Sequence, residues 1–128
     1  MDRHTQARLK RENAIWLVTA GRDLQPQAVP VWYLWDGTSF LIYAQPGIKV
    51  RHVRQNPNVE LHLNTDEAGE DVVRASGTAT IPKSQPPASK DRAYLRKYRT
   101  QILNLGMSVE DFAETYRYPI RVRKLRFH

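Results

Sequence analysis

The sequence predicts a mainly β (α+β) domain in which six antiparallel strands and a few short helices close into a small barrel. Three observations carry that expectation. Runs of about five to eleven residues, rich in Val, Ile, Leu, Trp and Tyr, recur along the chain and are separated by turn residues. The stretches with helical character are short and few. Several strand runs are apolar on both faces, and closing a sheet on itself removes the edges such strands would expose.

The chain has 128 residues, so one domain covering 1–128 is expected. Hydrophobic residues make up 41%, enough for a core of that size. No apolar run approaches the roughly 18 residues of a membrane span. The first 13 residues are polar and charged, unlike a signal peptide, so a cytoplasmic protein away from membranes is expected. There are no cysteines, which removes disulfides, thiolate catalysis and cysteine–zinc sites together. The formal charge is +7, so the surface suits an anionic partner: nucleic acid, lipid or a small molecule.

In order, Arg3 to Glu12 reads as a short surface helix with a thin apolar face at Ala7, Leu9 and Ala14. Ala14 to Ala20 is the first strand, so continuously apolar that both faces are expected to be buried. Gly21-Arg22-Asp23 turns the chain. The second strand runs from about Gln27 to Trp35, with Val29, Val31, Tyr33 and Trp35 on one face and Pro30, Trp32 and Leu34 on the other. Asp36-Gly37 reads as a two-residue type I′ turn, because Gly accepts positive φ and Asp tolerates it. Phe40 to Ala44 forms the third strand. One face of these two strands is core. The other is also apolar and must be covered, by a ligand or by a second copy of the chain. A homodimer is therefore expected.

Gln45-Pro46-Gly47 ends the third strand, and Ile48 to Asn56 reads as a helix stopped by Pro57. A helix start beside strand ends attracts anions, since its first N–H groups lack partners and the dipole favours negative charge. Lys49 in the first turn opposes that dipole unless an anion binds there. Arg51 and Arg54 follow on one side of the helix; Lys49, His52 and Val53 share another. A solvated helix face is the plain alternative to a basic mouth.

Asn58 to Thr65 alternates as a half-buried strand, and Asp66 to Asp71 is an acidic turn. Asp71 to Ile81 is a long fifth strand whose Gly77 marks a bulge or a close backbone approach. Pro82 to Ser89 is a connection. Ser89 is placed to cap a helix from Lys90 to about Leu103, with Ala93, Leu95 or Tyr94, and Tyr98 inward and Gly106 ending it. Ser108 with Asp111 resembles a capping box for a second short helix, whose apolar side is Phe112, Ala113 and Tyr116. Tyr118 to Phe127 is the last strand, and Pro119 places it at a sheet edge or marks its start.

Catalytic motifs are absent. His4, His52, His62 and His128 are scattered without metal-ligand spacing, and no metal is expected. There is no G-x-S-x-G, no P-loop and no Rossmann glycine pattern. His62 points away from the core side of its strand and reads as a surface residue.

The run AVPVWYLWDGTSFLIYAQPGIKVRHVRQNPNVELHL, with the closing YPIRVRKLRF, resembles the pyridoxamine 5′-phosphate oxidase-like split-barrel family. It is most similar to the branch described as F420-dependent enzymes. The likeness spans nearly the whole chain and is strongest at Pro30-Val31-Trp32, at Tyr43-Ala44, and at Lys49 eight residues before Pro57. It implies a six-stranded split barrel, a homodimer, and FMN or coenzyme F420 across the dimer interface. By that likeness Pro30, Val31 and Trp32 flank the flavin ring, and Tyr43 and Ala44 line the ribityl-phosphate path. Lys49 holds the phosphate, with the Gly47 and Ile48 amides and Arg51 assisting. Two departures stand out. The oxidases carry Ser-Arg-Lys where this chain has Gly47-Ile48-Lys49, and their arginine at the head of the second strand has no counterpart. Both count against pyridoxamine phosphate oxidation itself.

The expected function is an oxidoreductase whose flavin-type cofactor moves a hydride to or from a small organic substrate, which explains the missing acid–base constellations. Two other classes are a non-catalytic module that stores or senses the cofactor and, with less support, a basic nucleic-acid-binding barrel. A steep salt dependence of nucleic-acid affinity would mark the last. The basic run Lys49, Arg51, Arg54, with no carboxylate between Ala44 and Asn58, favours F420 and its anionic tail over FMN.

Overall fold

The computed structural model describes residues 1–128. Helix α1 (Arg3–Arg11) leads into β1 (Ala14–Ala20), β2 (Pro26–Trp32), β3 (Leu34–Trp35) and β4 (Phe40–Ala44). Helix α2 (Ile48–Gln55), β5 (Asn58–His62) and β6 (Arg74–Thr80) follow, then a 3₁₀ turn (Ala88–Lys90), α3 (Arg92–Asn104), α4 (Val109–Thr115) and β7 (Tyr118–Phe127). The strands form one antiparallel sheet in the order β2-β1-β5-β6-β7-β4-β3.

The strand count corrects the expected six to seven. The second predicted strand breaks at Tyr33, so that β2 pairs with β1 while β3 pairs with β4. The two ends of the sheet order are thus segments of one stretch, and the sheet is curled so that this stretch spans its seam. Tyr33 is outside both ladders, and its backbone finds partners on α3 instead. Its N–H donates to the Tyr98 hydroxyl at 2.9 Å, and its carbonyl accepts from Lys97 Nζ at 3.1 Å and the Tyr98 hydroxyl at 2.8 Å. A buried break of this kind persists only because those groups are satisfied.

Other expectations are adjusted by packing. On β1, Ile15, Leu17 and Thr19 are buried while Trp16, Val18 and Ala20 are only half-buried, so the strand is not buried on both faces. The hairpin loop runs over Asp36–Ser39, between the Trp35–Phe40 pair, rather than a bare two-residue turn. Gly37 has φ 97°, and the Asp36 carboxylate accepts from the Thr38 and Ser39 N–H groups at 2.8 and 2.7 Å. The cap of α3 is Asp91, which accepts from Tyr94 N–H at 3.1 Å, and not Ser89; Ala93 is exposed. Pro119 sits at the start of β7, but β7 is an interior strand between β6 and β4. Gly77 does meet a close approach: a Cβ there would lie 2.9 Å from the Arg123 carbonyl oxygen, where the β6–β7 register shifts.

Two cores result. Inside the curl, Ile15, Leu17, Val31, Phe40, Ile42, Leu61, Ile120 and Val122 belong to a cluster of 18 buried residues. Outside it, Leu41 and Tyr43 of β4 pack with Tyr94, Leu95, Tyr98, Ile102, Phe112 and Ala113 of α3 and α4, with Trp32 and Leu34 against them. The outward face of β3 and β4 is therefore covered largely by this chain's own helices, which corrects the expectation that only a ligand or a second copy would cover it.

Candidate functional site

Strand alternation sets the first wall of the site. Trp32 points out of the curl, opposite to Val31 and Tyr33, and its ring stacks on Tyr98 at 4.8 Å and on Phe112 at 5.7 Å. Tyr43 on neighbouring β4 also points outward and meets Tyr94 edge-on at 4.8 Å. Its hydroxyl donates to the Pro86 carbonyl at 2.8 Å and lies 3.0 Å from an Asp91 carboxylate oxygen. Burial, with Asp91 adding to it, pushes the Tyr43 phenol well above its ordinary pKa, so it stays protonated.

Between these walls lies a cavity of about 260 Å³ lined by Pro30, Val31, Trp32, Tyr43, Ala44, Gln45, Lys49, Tyr94, Leu105, Phe112 and Tyr116. Six residues singled out in the sequence, Pro30, Val31, Trp32, Tyr43, Ala44 and Lys49, come together here. Gly47, Ile48 and Arg51 do not line it; Arg51 is exposed, and Arg54 lines a different cavity. The basic mouth of Lys49, Arg51 and Arg54 is thus spread over different surfaces: Lys49 already faces another side of the helix, and Arg51 does not join Arg54 at its cavity.

Tyr94, Phe112 and Tyr116, from the two late helices, were not expected at the site. A signal for them exists in the spacing. Tyr94 with Tyr98, and Phe112 with Tyr116, are i,i+4 pairs that place two aromatic rings on one helix face. Which strands those faces cover is a tertiary fact that spacing does not hold.

The polar chemistry of the cavity is sparse. Tyr94 is 0% exposed, and its hydroxyl is buried without a hydrogen-bond partner. Burial raises its pKa far above the ordinary phenol value, so it is a neutral donor. Helix α2 adds a second unsatisfied feature. Side chains cap α1 (Asp2), α3 (Asp91) and α4 (Ser108), but none caps α2. Its N-cap Gly47 has φ 156°, a region that side-chain-bearing residues rarely adopt, and an added Cβ there would meet nothing within 4 Å. The first N–H groups of α2 therefore lack a side-chain acceptor, beside Lys49 at the cavity wall. The residues fit a mostly apolar, planar ligand with one hydrogen-bond acceptor near Tyr94 and an anionic group near Lys49.

A larger cavity of about 580 Å³, also bordered by Tyr43, is lined by Arg54, Lys83, Arg117 and Tyr118 among others. No three His, Asp or Glu side chains converge as a metal site. No helix is long and apolar enough to cross a membrane.

Solved structures share this fold. An F420 reductase is 19% identical, with a TM-score of 0.70 over 100% of this chain and 98% of that one. An FAD-binding protein from Mesorhizobium loti is 14% identical, with a TM-score of 0.70 over 99% and 92%. A heme storage protein from Vibrio cholerae is 10% identical, with a TM-score of 0.62 over 94% and 87%. At such identities the likeness speaks for the architecture alone. No curated protein matches the sequence. The sequence does match the pyridoxamine 5′-phosphate oxidase family over residues 1–126, and with the curled antiparallel sheet and its covering helices, the chain belongs to that family.

Proposed function

We propose that the 260 Å³ cavity receives the ring of a flavin-type cofactor, F420 or FMN, and that the protein is an oxidoreductase acting on a small organic substrate. The observation that carries this reading is the aromatic cavity that brings Pro30, Val31, Trp32, Tyr43, Ala44 and Lys49 together, with Tyr94 and its partnerless hydroxyl in the wall. An unmade buried hydrogen bond costs about 1–3 kcal/mol, and a ring carbonyl or nitrogen of the ligand would satisfy it. Trp32 and Phe112 offer apolar ring surface, Tyr43 stays protonated, and Lys49 with the uncapped α2 start takes a phosphate. When bound, such a cofactor supplies hydride transfer. The chain's residues then need only to bind, orient and exclude water.

A homodimer with the cofactor at the subunit interface is part of the proposal. A cavity of 260 Å³ falls below the roughly 300–1,000 Å³ of ordinary ligand sites, so one chain makes only part of it. Its rim is apolar and open: Leu105 is 56% and the nearby Ile48 41% exposed. Trp16, Val18 and Ala20 also stay half-covered on the outside of β1.

Absorbance and fluorescence titrations with F420 and with FMN, alongside sedimentation, test the reading. The expected result is saturable binding of at least one cofactor to a dimer. Lys49→Ala is expected to lower that affinity about tenfold to a hundredfold with an unchanged melting temperature, since a charge-assisted hydrogen bond is worth about 1.5–3 kcal/mol. Failure of both cofactors to bind would overturn the cofactor reading, and a monomer at micromolar concentration would overturn the interface.

A further inference from the structure

The larger cavity carries chemistry that the cofactor does not use. Its wall brings three cations from three separate parts of the chain: Arg54 at the end of α2, Lys83 after β6, and Arg117 just before β7. The Arg54 and Arg117 guanidinium carbons lie 5.3 and 5.1 Å from the centre of the same ring, Tyr118. None of the three cations makes an ion pair. No Asp or Glu lines the cavity.

Like charges held on one aromatic ring repel each other, and an anion between them removes that repulsion. The surroundings add to the positive field. Gln85, also in the wall, accepts from Arg121 Nη2 at 2.8 Å, and Arg121 Nε is buried without a partner. Two nearby carboxylates are already engaged: Asp91 accepts from Gln85 Nε2 and the Tyr94 N–H, and Asp36 pairs with Arg121. The volume of about 580 Å³ lies within the range of small-molecule sites.

We infer that this cavity is a second binding site, for a small organic molecule bearing two or more anionic oxygens as carboxylate or phosphate groups. The two guanidinium groups present planar forks that match such oxygens two at a time, and Lys83 adds a point charge. The prolines and Ile81 of the wall receive the organic body. Tyr43 borders both cavities, so an occupant here lies beside the occupant of the first site. Anion binding stands by itself; only the use of this cavity as the substrate's site rests on the cofactor reading.

The test is calorimetric titration of the full-length protein with inorganic pyrophosphate at low ionic strength, with and without saturating cofactor. Saturable binding, one per chain, is expected. Arg54→Gln and Arg117→Gln should each weaken it about tenfold, because each removes one charged fork. Arg99→Gln, an exposed change on α3, should leave it within twofold. Circular dichroism melts establish that each variant is folded. Absence of saturable binding, equal weakening by Arg99→Gln, or displacement of pyrophosphate by the cofactor would overturn the inference. The first outcome does so without bearing on cofactor binding, which the separate cofactor titration measures.

Discussion

The two faces of the stretch Pro26–Trp35 lead into two different kinds of interior. Inward, Val31, Tyr33 and Trp35 join an 18-residue core rich in aliphatic side chains. Outward, Trp32 and Leu34 meet a smaller core dominated by aromatic rings, Tyr43, Tyr94, Tyr98 and Phe112. The inner core is a packing solution, filled by branched side chains that interdigitate. The outer one is built from flat rings with polar tips, which leave a cavity and one hydroxyl without a partner. One strand can therefore hold the fold with alternate residues and build a site with the residues between them.

The sharpest test of that contrast is truncation in the inner core. Leu17 is 0% exposed, so Leu17→Ala is expected to destabilise by about 2–5 kcal/mol in chemical denaturation. If it costs less than an outer-core truncation such as Ile102→Ala, the division between the two cores is wrong.

Tyr94→Phe asks the reverse question. It removes a hydroxyl that has no partner, so stability should be unchanged or rise by about 1 kcal/mol while cofactor affinity falls. Tyr43→Phe removes a hydroxyl bonded to Pro86 and should destabilise by about 1 kcal/mol. A loss of stability in Tyr94→Phe equal to that in Tyr43→Phe would mean that the Tyr94 hydroxyl is satisfied in solution.

A pH-dependent effect lies where the two regions meet. Burial lowers the Lys97 pKa from 10.5 to about 8, with Glu12 acting the other way. Between those values the unfolded chain binds more protons than the folded one, so stability rises with pH across that window. The rise is cut short near pH 10, where the phenols begin to ionise in the unfolded chain. Lys97→Met should flatten the slope from about pH 8 upward in a series of melts at fixed ionic strength. A variant with the same slope as the parent would assign it to another group.

Much of the architecture was legible because it is written in local alternation. Ala14–Ala20 and Tyr118–Phe127 have the expected bounds, and Ser108 caps its helix. The break at Tyr33 was not legible, since no Gly or Pro marks it and its cause is a pair of side chains 64 and 65 positions away. The α3 cap was misplaced because Ser89 and Asp91 are both competent caps, and only the 3₁₀ turn at Ala88–Lys90 decides between them. At the candidate site, the residues on strands and at the α2 start were named by the family likeness, and six of them line one cavity. Their aromatic counterparts on α3 and α4 could not, because what a helix face covers depends on how the chain returns. The F420 preference drawn from Lys49, Arg51 and Arg54 loses its footing for the same reason, as the three do not share a cavity.

The Tyr98 hydroxyl stands where a strand neighbour would otherwise be: it accepts from the Tyr33 amide, and its one proton lies within reach of the Tyr33 and Asn13 carbonyls. The amide of Tyr33 is thus locked by a helix rather than by a ladder. Its solvent exchange reads the lifting of α3 from the sheet, whereas the exchange of its ladder-paired neighbours reads the opening of the sheet itself. A single backbone proton serves as a gauge of whether the roof of the cavity is seated, and it can be watched without touching the site.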